Sequence, residues 1–312
     1  MAGTENFQEW HVTEPYLNLH CLLGEGPYFE PAANTLRFVD IKQKRIHTVS
    51  LAEEGQPGSS LKTLQLDVPV TVTANVQGRD PQDSIVVGLK YGLALLDRKT
   101  GQYEYLNRFA HDGGEKKDAR IRSNDGAVDP HGRFWLGTMT DFGLGDFQPE
   151  GSLFRFDRGK TRNPIRTGLT IPNSIGWSPD SKTMYFTHSS DRQVLAWDYS
   201  AADGSLSNER VFYQHDGPGE PDGFRIDTNG NIWHAVWGES RIIKLSPEGK
   251  IVGQVKLPTK HITCCEFVGT ELFITCADDN EGEGDSKKYG GGLFKVDVGV
   301  AGLPHHDFKL WG

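Results

Sequence analysis

A phrase made of an amide or acid, a turn and a strand recurs at a fixed interval, and few folds accommodate that. The first copy begins Asn124-Asp125-Gly126, passes Asp129-Pro130 and ends at Phe134-Trp135. The second begins Asn173-Ser174-Ile175, passes Ser178-Pro179-Asp180 and ends at Met184-Tyr185. The third begins Asp222-Gly223-Phe224, passes Asp227 and ends at Ile232-Trp233. Both intervals are 49 residues. A further strand-like run follows each phrase, at 152–157, 194–198 and 241–245. A weaker copy spans 262–297, and two more fit upstream, beginning near Gly24 and Thr73. The runs are short, rich in β-branched and aromatic residues, and end near Gly, Asp, Asn or Pro. No long stretch carries a 3.6-residue apolar period. The chain therefore reads as all-β. One four-stranded sheet cannot bury both faces, whereas six packed around an axis can. The expectation is a single domain over residues 1–312. It is a six-bladed β-propeller with four antiparallel strands per blade, a central metal-containing tunnel and a peripheral segment of about 15 N-terminal residues. A β-sandwich is the alternative, but it has no natural place for the spacing.

Composition narrows the partners. Lys and Arg total 33 against 42 Asp and Glu, a net charge of −9, which argues against phosphate-backbone binding. No apolar run is long enough for a membrane helix. The polar segment 1–10 does not read as a secretory leader. Cys21, Cys264, Cys265 and Cys276 form no disulfide framework and read as reduced, with Cys264 and Cys265 as buried strand thiols. The expected location is cytoplasmic, as a monomer or weak homo-oligomer, with no nucleic acid or membrane partner.

In a propeller, equivalent positions of the innermost strands meet at the axis. Asn124, Asn173 and Asp222 are equivalent, and further upstream in the same series lies Glu25 in Gly24-Glu25-Gly26-Pro27. Together they make an oxygen-rich cage with two carboxylates, which repel unless a cation joins them. Such a set suits calcium, magnesium or manganese, and can hold zinc or iron(II). The competing reading is that these are ordinary turn residues. Asn75 is in phase but lacks the turn context, and reads as a buried amide bonded to backbone.

Other chemistries lack their motifs. There is no G-x-S-x-G elbow, H-E-x-x-H, phosphate loop or dinucleotide fingerprint. His188 and His234 read as structural. Arg122 lies two residues before Asn124, so on a strand it faces the same way. It fits either substrate binding or a surface ion pair. The polar loops 53–60 and 111–117 read as surface connections, and the acidic stretch 278–285 as a solvated insertion without calcium-loop spacing.

These stretches resemble the SMP-30/gluconolactonase/regucalcin-like family. The likeness rests on Leu23-Gly24-Glu25-Gly26-Pro27, Arg122 with Asn124-Asp125-Gly126, Gly137-Thr138-Met139, Ile171-Pro172-Asn173, Pro221-Asp222-Gly223 and Thr263-Cys264-Cys265. It implies a metal-dependent hydrolase that opens sugar (aldono-) lactones to aldonic acids. One divalent cation is implied, calcium first, with zinc, manganese, magnesium or iron(II) as alternatives. The implied ligands are Glu25, Asn173 and Asp222. Arg122 and Asn124 match substrate-binding positions, and Asp222 matches the base that takes a proton from water. After Met139 the animal members carry two acids, whereas this chain has Asp141-Phe142. Asp141 is expected to bind substrate, and Phe142 to change which hydroxyl pattern is preferred. Two other functions fit the family: a non-enzymatic calcium-binding regulator, and an organophosphate hydrolase using the same metal.

Overall fold

In the computed structural model, residues 7–52, 60–109, 114–157, 160–161 and 164–310 are described. Most of the 53–60 loop and the first three residues of the 111–117 loop lie outside them. Six β-sheets follow one another along the chain. We number them blades 1 to 6. Their innermost strands are Gly24–Glu30, Val70–Ala74, Ile121–Val128, Pro172–Trp177, Glu220–Ile226 and Ile262–Val268. Each inner strand touches the next, and the sixth touches the first, so the ring closes. The fold is the expected six-bladed propeller.

The apolar residues explain the ring. They separate into six buried clusters, one at each seam between neighbouring blades. Blade 4, for example, sends Trp177, Met184 and Phe186 against Trp135 and Leu153 of blade 3. Its opposite face sends Tyr185 and Val194 against Phe224 and Val236 of blade 5. Strand alternation puts successive side chains into different seams, which is why a blade has two apolar faces and needs two neighbours.

Closure departs from the simplest plan. Blade 6 has three strands, ending at Leu293–Asp297. Leu17 bridges Leu293 antiparallel, so the segment that enters blade 1 also edges blade 6. Ahead of it, Gln8–His11 runs parallel to Ile251–Lys256 as a fifth strand of blade 5. The described part of the N-terminal segment thus runs along the last two blades. Beyond the sheets there are two short helices, Glu115–Asp118 and Gly284–Tyr289, and one 3-10 turn among the described residues. No helix among the described residues is long and apolar enough to cross a membrane.

The repeated phrase has a structural basis in two turns. Asp129 accepts bonds from the backbone of His131 and Arg133 and, at 3.1 Å, from the Trp135 indole. Asp227 does the same for Asn229, Asn231 and, at 2.9 Å, Trp233. Each carboxylate closes a turn and satisfies a buried ring nitrogen on the strand it leads into. In the second copy the equivalent position is Ser178, whose Oγ accepts from the Thr183 amide at 3.0 Å, while Asp180, two residues on, is exposed and serves Ser178 and Lys182. Asp227→Ala should therefore cost about 2–4 kcal/mol by orphaning Trp233 and the turn amides. Asp180→Ala should stay within about 0.5 kcal/mol. Denaturant midpoints of the two variants check the contrast, and equal losses would contradict it.

Candidate active site

Every inner strand breaks register where it lines the axis. The irregularities lie between Glu25 and Tyr28, Val70 and Val72, Ser123 and Gly126, Pro172 and Ile175, Pro221 and Phe224, and Ile262 and Cys264. A bulge re-aims side chains. Here it lets two consecutive residues of a strand line the tunnel at different depths. Glu25, Asn124, Asn173 and Asp222 face a cavity of ≈ 260 Å³ at one mouth. Gly26, Asp125 and Ser174 face a second cavity of ≈ 100 Å³ deeper along the tunnel.

All four residues of the expected cage are thus together. Glu25, Asn173 and Asp222 are buried, and Asn124 is half-buried. The Asn173 Nδ2 donates to Asp222 Oδ1 and, at 3.2 Å, to Ser189 Oγ. Its Oδ1 is buried with no partner among the described residues. Glu25 accepts from the Gly26 amide at 3.0 Å. Burial, then the Asp222 and Asp125 charges, push the Glu25 carboxyl well above its ordinary range. Burial and then Asp125 do the same to Asp222, against the opposing Asn173 bond. Two buried carboxylates and an orphaned amide oxygen share one wall, and no ion pair to either carboxylate occurs among the described residues. That donor set fits a hard divalent cation. Among the described residues there is no cluster of three His, Cys, Asp or Glu side chains fit for a metal, and the unpaired oxygen beside the two carboxylates is that of Asn173.

Arg122 is buried at the cavity wall, which removes the surface ion-pair reading. Its Nη1 donates to the Ser123 carbonyl at 2.7 Å and to Asn124 Oδ1 at 2.9 Å. Asn124 in turn donates to the Pro172 carbonyl at 2.9 Å. The Arg122 Nη2 meets only the Met139 sulfur, at 3.1 Å, and Nε has no hydrogen-bond partner among the described residues. The guanidinium is therefore pinned through Nη1 and under-satisfied at its other two nitrogens, with Nε on the Asp141 side. Burial lowers its pKa to about 10, opposed by Asp141 and Glu25, so it stays charged at neutral pH.

Asp141 stands behind the wall. It takes Lys90 Nζ at 2.5 Å and lies 3.9 Å from Arg122 Nε. Phe142 does line the cavity, with its ring centroid 4.1 Å from the Arg122 guanidinium carbon. Met139, Phe147, Ile171 and Trp237 add further apolar wall. Trp237 and Lys42 also line it, and sequence reasoning misses both because neither falls in the repeated phrase.

The residues read as structural behave so. His234 is buried, bonded to Thr187 and the Ala235 carbonyl, and burial drops its pKa to about 3. His188 accepts from the Thr170 amide and pairs with Asp191. The Asn75 amide oxygen takes Arg37 Nη1 at 2.9 Å and stays out of the cage, so its partner is a side chain and not backbone. The acidic insertion is more built than expected. Asp279 is buried and holds Ser286, while the Asp278 carbonyl meets His261, which stacks on Trp237 at 4.3 Å. All four cysteines are free and buried.

With this geometry in hand, similarity to other proteins becomes informative. The sequence profile described as the SMP-30/Gluconolactonase/LRE-like region matches residues 23–278, and the chain belongs to that family. It is 31% identical to the pentonolactonase XacC of Haloferax volcanii, over 91% of this chain and 94% of that one. It is 33% identical to regucalcin of Bos taurus, over 93% and 95%. The crystal structure of a calcium-binding protein, regucalcin, from Agrobacterium tumefaciens superposes with a TM-score of 0.85 at 25% identity, over 97% and 99% of the two chains.

The exposed acids of the insertion, Glu281, Glu283 and Asp285, are not part of the cavity wall. Replacing them with Gln, Gln and Asn should leave tight divalent-cation binding at about one ion per chain. Equilibrium dialysis checks this, and loss of the bound ion would move the site to the insertion.

Proposed function

We propose that this chain is a lactonase that hydrolyses sugar (aldono-) lactones to aldonic acids with the help of one divalent cation. The observation that carries the reading is the orphaned Asn173 Oδ1 beside Glu25 and Asp222, with Arg122 on the same cavity. The names of the pentonolactonase relative and of the family support the same reaction class. Glu25, Asn173 and Asp222 would hold the cation, calcium being the first expectation from the regucalcin relatives. When bound, the cation supplies Lewis-acid polarisation of the ester carbonyl and acidifies water.

The protein groups do the rest. Asp222 is the carboxylate placed to take the proton from the attacking water. Arg122 lines the cavity with Nη2 bonded only to a thioether sulfur, and a carbonyl oxygen turning into a tetrahedral oxyanion there gains most from a fixed positive charge. Asn124 fixes the guanidinium through Nη1, and Asp141 balances its charge from behind. Its own Lys90 partner keeps Asp141 from the substrate in this arrangement. No nucleophilic serine or cysteine is needed. The working unit would be a cytoplasmic monomer or weak homo-oligomer acting on a small molecule.

Asp222→Asn keeps an oxygen of similar size but removes charge and basicity. At saturating cation its kcat should fall by roughly 10²–10⁴ while the propeller stays folded. Asn173→Ala removes a neutral ligand and leaves the base, so added cation should partly rescue it. Recovery of Asp222→Asn to near wild-type rate at saturating cation would reduce Asp222 to a ligand.

The wall also favours a lactone with apolar positions. Phe142 cannot accept hydroxyl bonds, and Met139 and Ile171 extend the same apolar wall. Phe142→Glu should move the kcat/KM ratio toward a fully hydroxylated aldonolactone and away from its deoxy counterpart. Because the introduced carboxylate would also face Arg122, the ratio between the two lactones is the readout. An unchanged ratio would place Phe142 away from the substrate.

A further inference from the structure

Beneath the cage lies a third acid that has no part in the proposed reaction. Asp125 follows Asn124 on the bulged inner strand of blade 3 and lines the deeper cavity. It is half-buried there. Its Oδ2 accepts from Ser174 Oγ at 2.7 Å and its Oδ1 from the Gly126 amide at 2.7 Å. Both donors are neutral, and no ion pair to Asp125 occurs among the described residues. The nearest cation to act on it, Arg225, is committed to Glu266 at 3.4 Å and to the Leu303 carbonyl. Ser174 also accepts from the Phe224 amide at 2.8 Å. A chain of bonds thus runs from blade 3 through blade 4 to blade 5. It passes directly beneath Asn173 and Asp222, because Ser174 and Phe224 are one and two residues beyond them.

A carboxylate held in place by two neutral donors, with no cation of its own, is costly to keep beside two others. It directly follows Asn124 and is bonded to Ser174, which directly follows Asn173, so its charge lies next to the cage. A protein gains nothing from that arrangement unless a positive charge sits above it. We propose that Asp125 is a positioning residue for the cage: it attracts the divalent cation electrostatically without ligating it, and Ser174 fixes its orientation. The inference rests on the cage reading of Glu25, Asn173 and Asp222.

The position also has an internal control. Residues after the cage positions in other blades are Gly26, Ser174 and Gly223, all uncharged. One acid among them is enough to make the cage and its floor carry three carboxylates. A monovalent ion neutralises one of them and a divalent ion two, so the floor charge favours the divalent ion.

The test measures binding of calcium and of manganese to chelator-treated full-length protein by titration calorimetry, with no lactone present. Wild type, Glu25→Gln, Asp125→Asn and Ser174→Ala are compared, and melting of each is followed without cation. Asp125→Asn preserves shape and the acceptor for the Gly126 amide, and its Nδ2 donates to Ser174 Oγ in place of accepting from it. It should weaken both cations by roughly 10–100-fold, the usual worth of a residue behind a metal ligand. Its cation-free form should melt at or above wild type, since a repelling charge has gone. Ser174→Ala should weaken binding less than Asp125→Asn. A merely structural Asp125 would instead lower the cation-free melting temperature and the affinity together, and that result overturns the proposal. So does an Asp125→Asn affinity within about twofold of wild type when Glu25→Gln binds poorly. If Glu25→Gln binds as well as wild type, the cage itself is misplaced and the reading beneath this inference fails separately.

Discussion

Everything functional here depends on six strands meeting at one axis with their register broken there. A regular inner strand would alternate its side chains between seams and leave backbone at the tunnel. The bulge turns consecutive residues inward instead, and neighbouring blades then tie them together. Thr71 meets Ser123 at 2.9 Å, Asn124 reaches the Pro172 carbonyl, and Asn173 reaches Asp222. Thr263 of blade 6 donates to the Gly24 carbonyl of blade 1 at 2.6 Å. The apolar seams close the ring and bear most of the stability, so the axis is free to hold polar groups that a packed core would reject.

Stability and chemistry therefore occupy different radii of the same blade. Trp135 and Trp233 are fully buried in their seams, each satisfied by an Asp from its own turn. Glu25 and Asp222, on the inner strands, have one neutral donor each, and burial still pushes both carboxyls up. The Arg122 guanidinium shows the intermediate case. It is pinned on one nitrogen, stacked on Phe142, and left short of strong acceptors on the other two. Buried groups that are fully satisfied hold the fold, and those left short are where a ligand belongs.

Much of this is legible in the residues. The 49-residue spacing of Asn124, Asn173 and Asp222 specifies both the blade count and the convergence. The same counting fails in blade 2, where it selects Asn75. That blade opens at Val70 and bulges before Val72, so the tunnel position falls to Thr71. No turn residue marks it. Asp125 is legible only once the bulge is known, because Asn-Asp-Gly otherwise reads as a turn. The pairing of Gln8–His11 with blade 5 has no sequence signal, since its partner strand, Ile251–Lys256, is remote in the chain and is chosen by what edge remains open. Phe142 stands out through the family resemblance, while Trp237 and the His261 contact that steadies it depend on loops of different blades.

The central claim is that the tunnel cage and the hydrolytic site are one. It is tested most directly by stripping the protein with a chelator and following lactone hydrolysis as divalent cation is returned in molar fractions. The account predicts negligible turnover without cation and a rise that breaks at about one equivalent per chain, with Glu25→Gln failing to recover over the same range. Full-rate hydrolysis by the chelated protein, or recovery of Glu25→Gln along the wild-type curve, would contradict it.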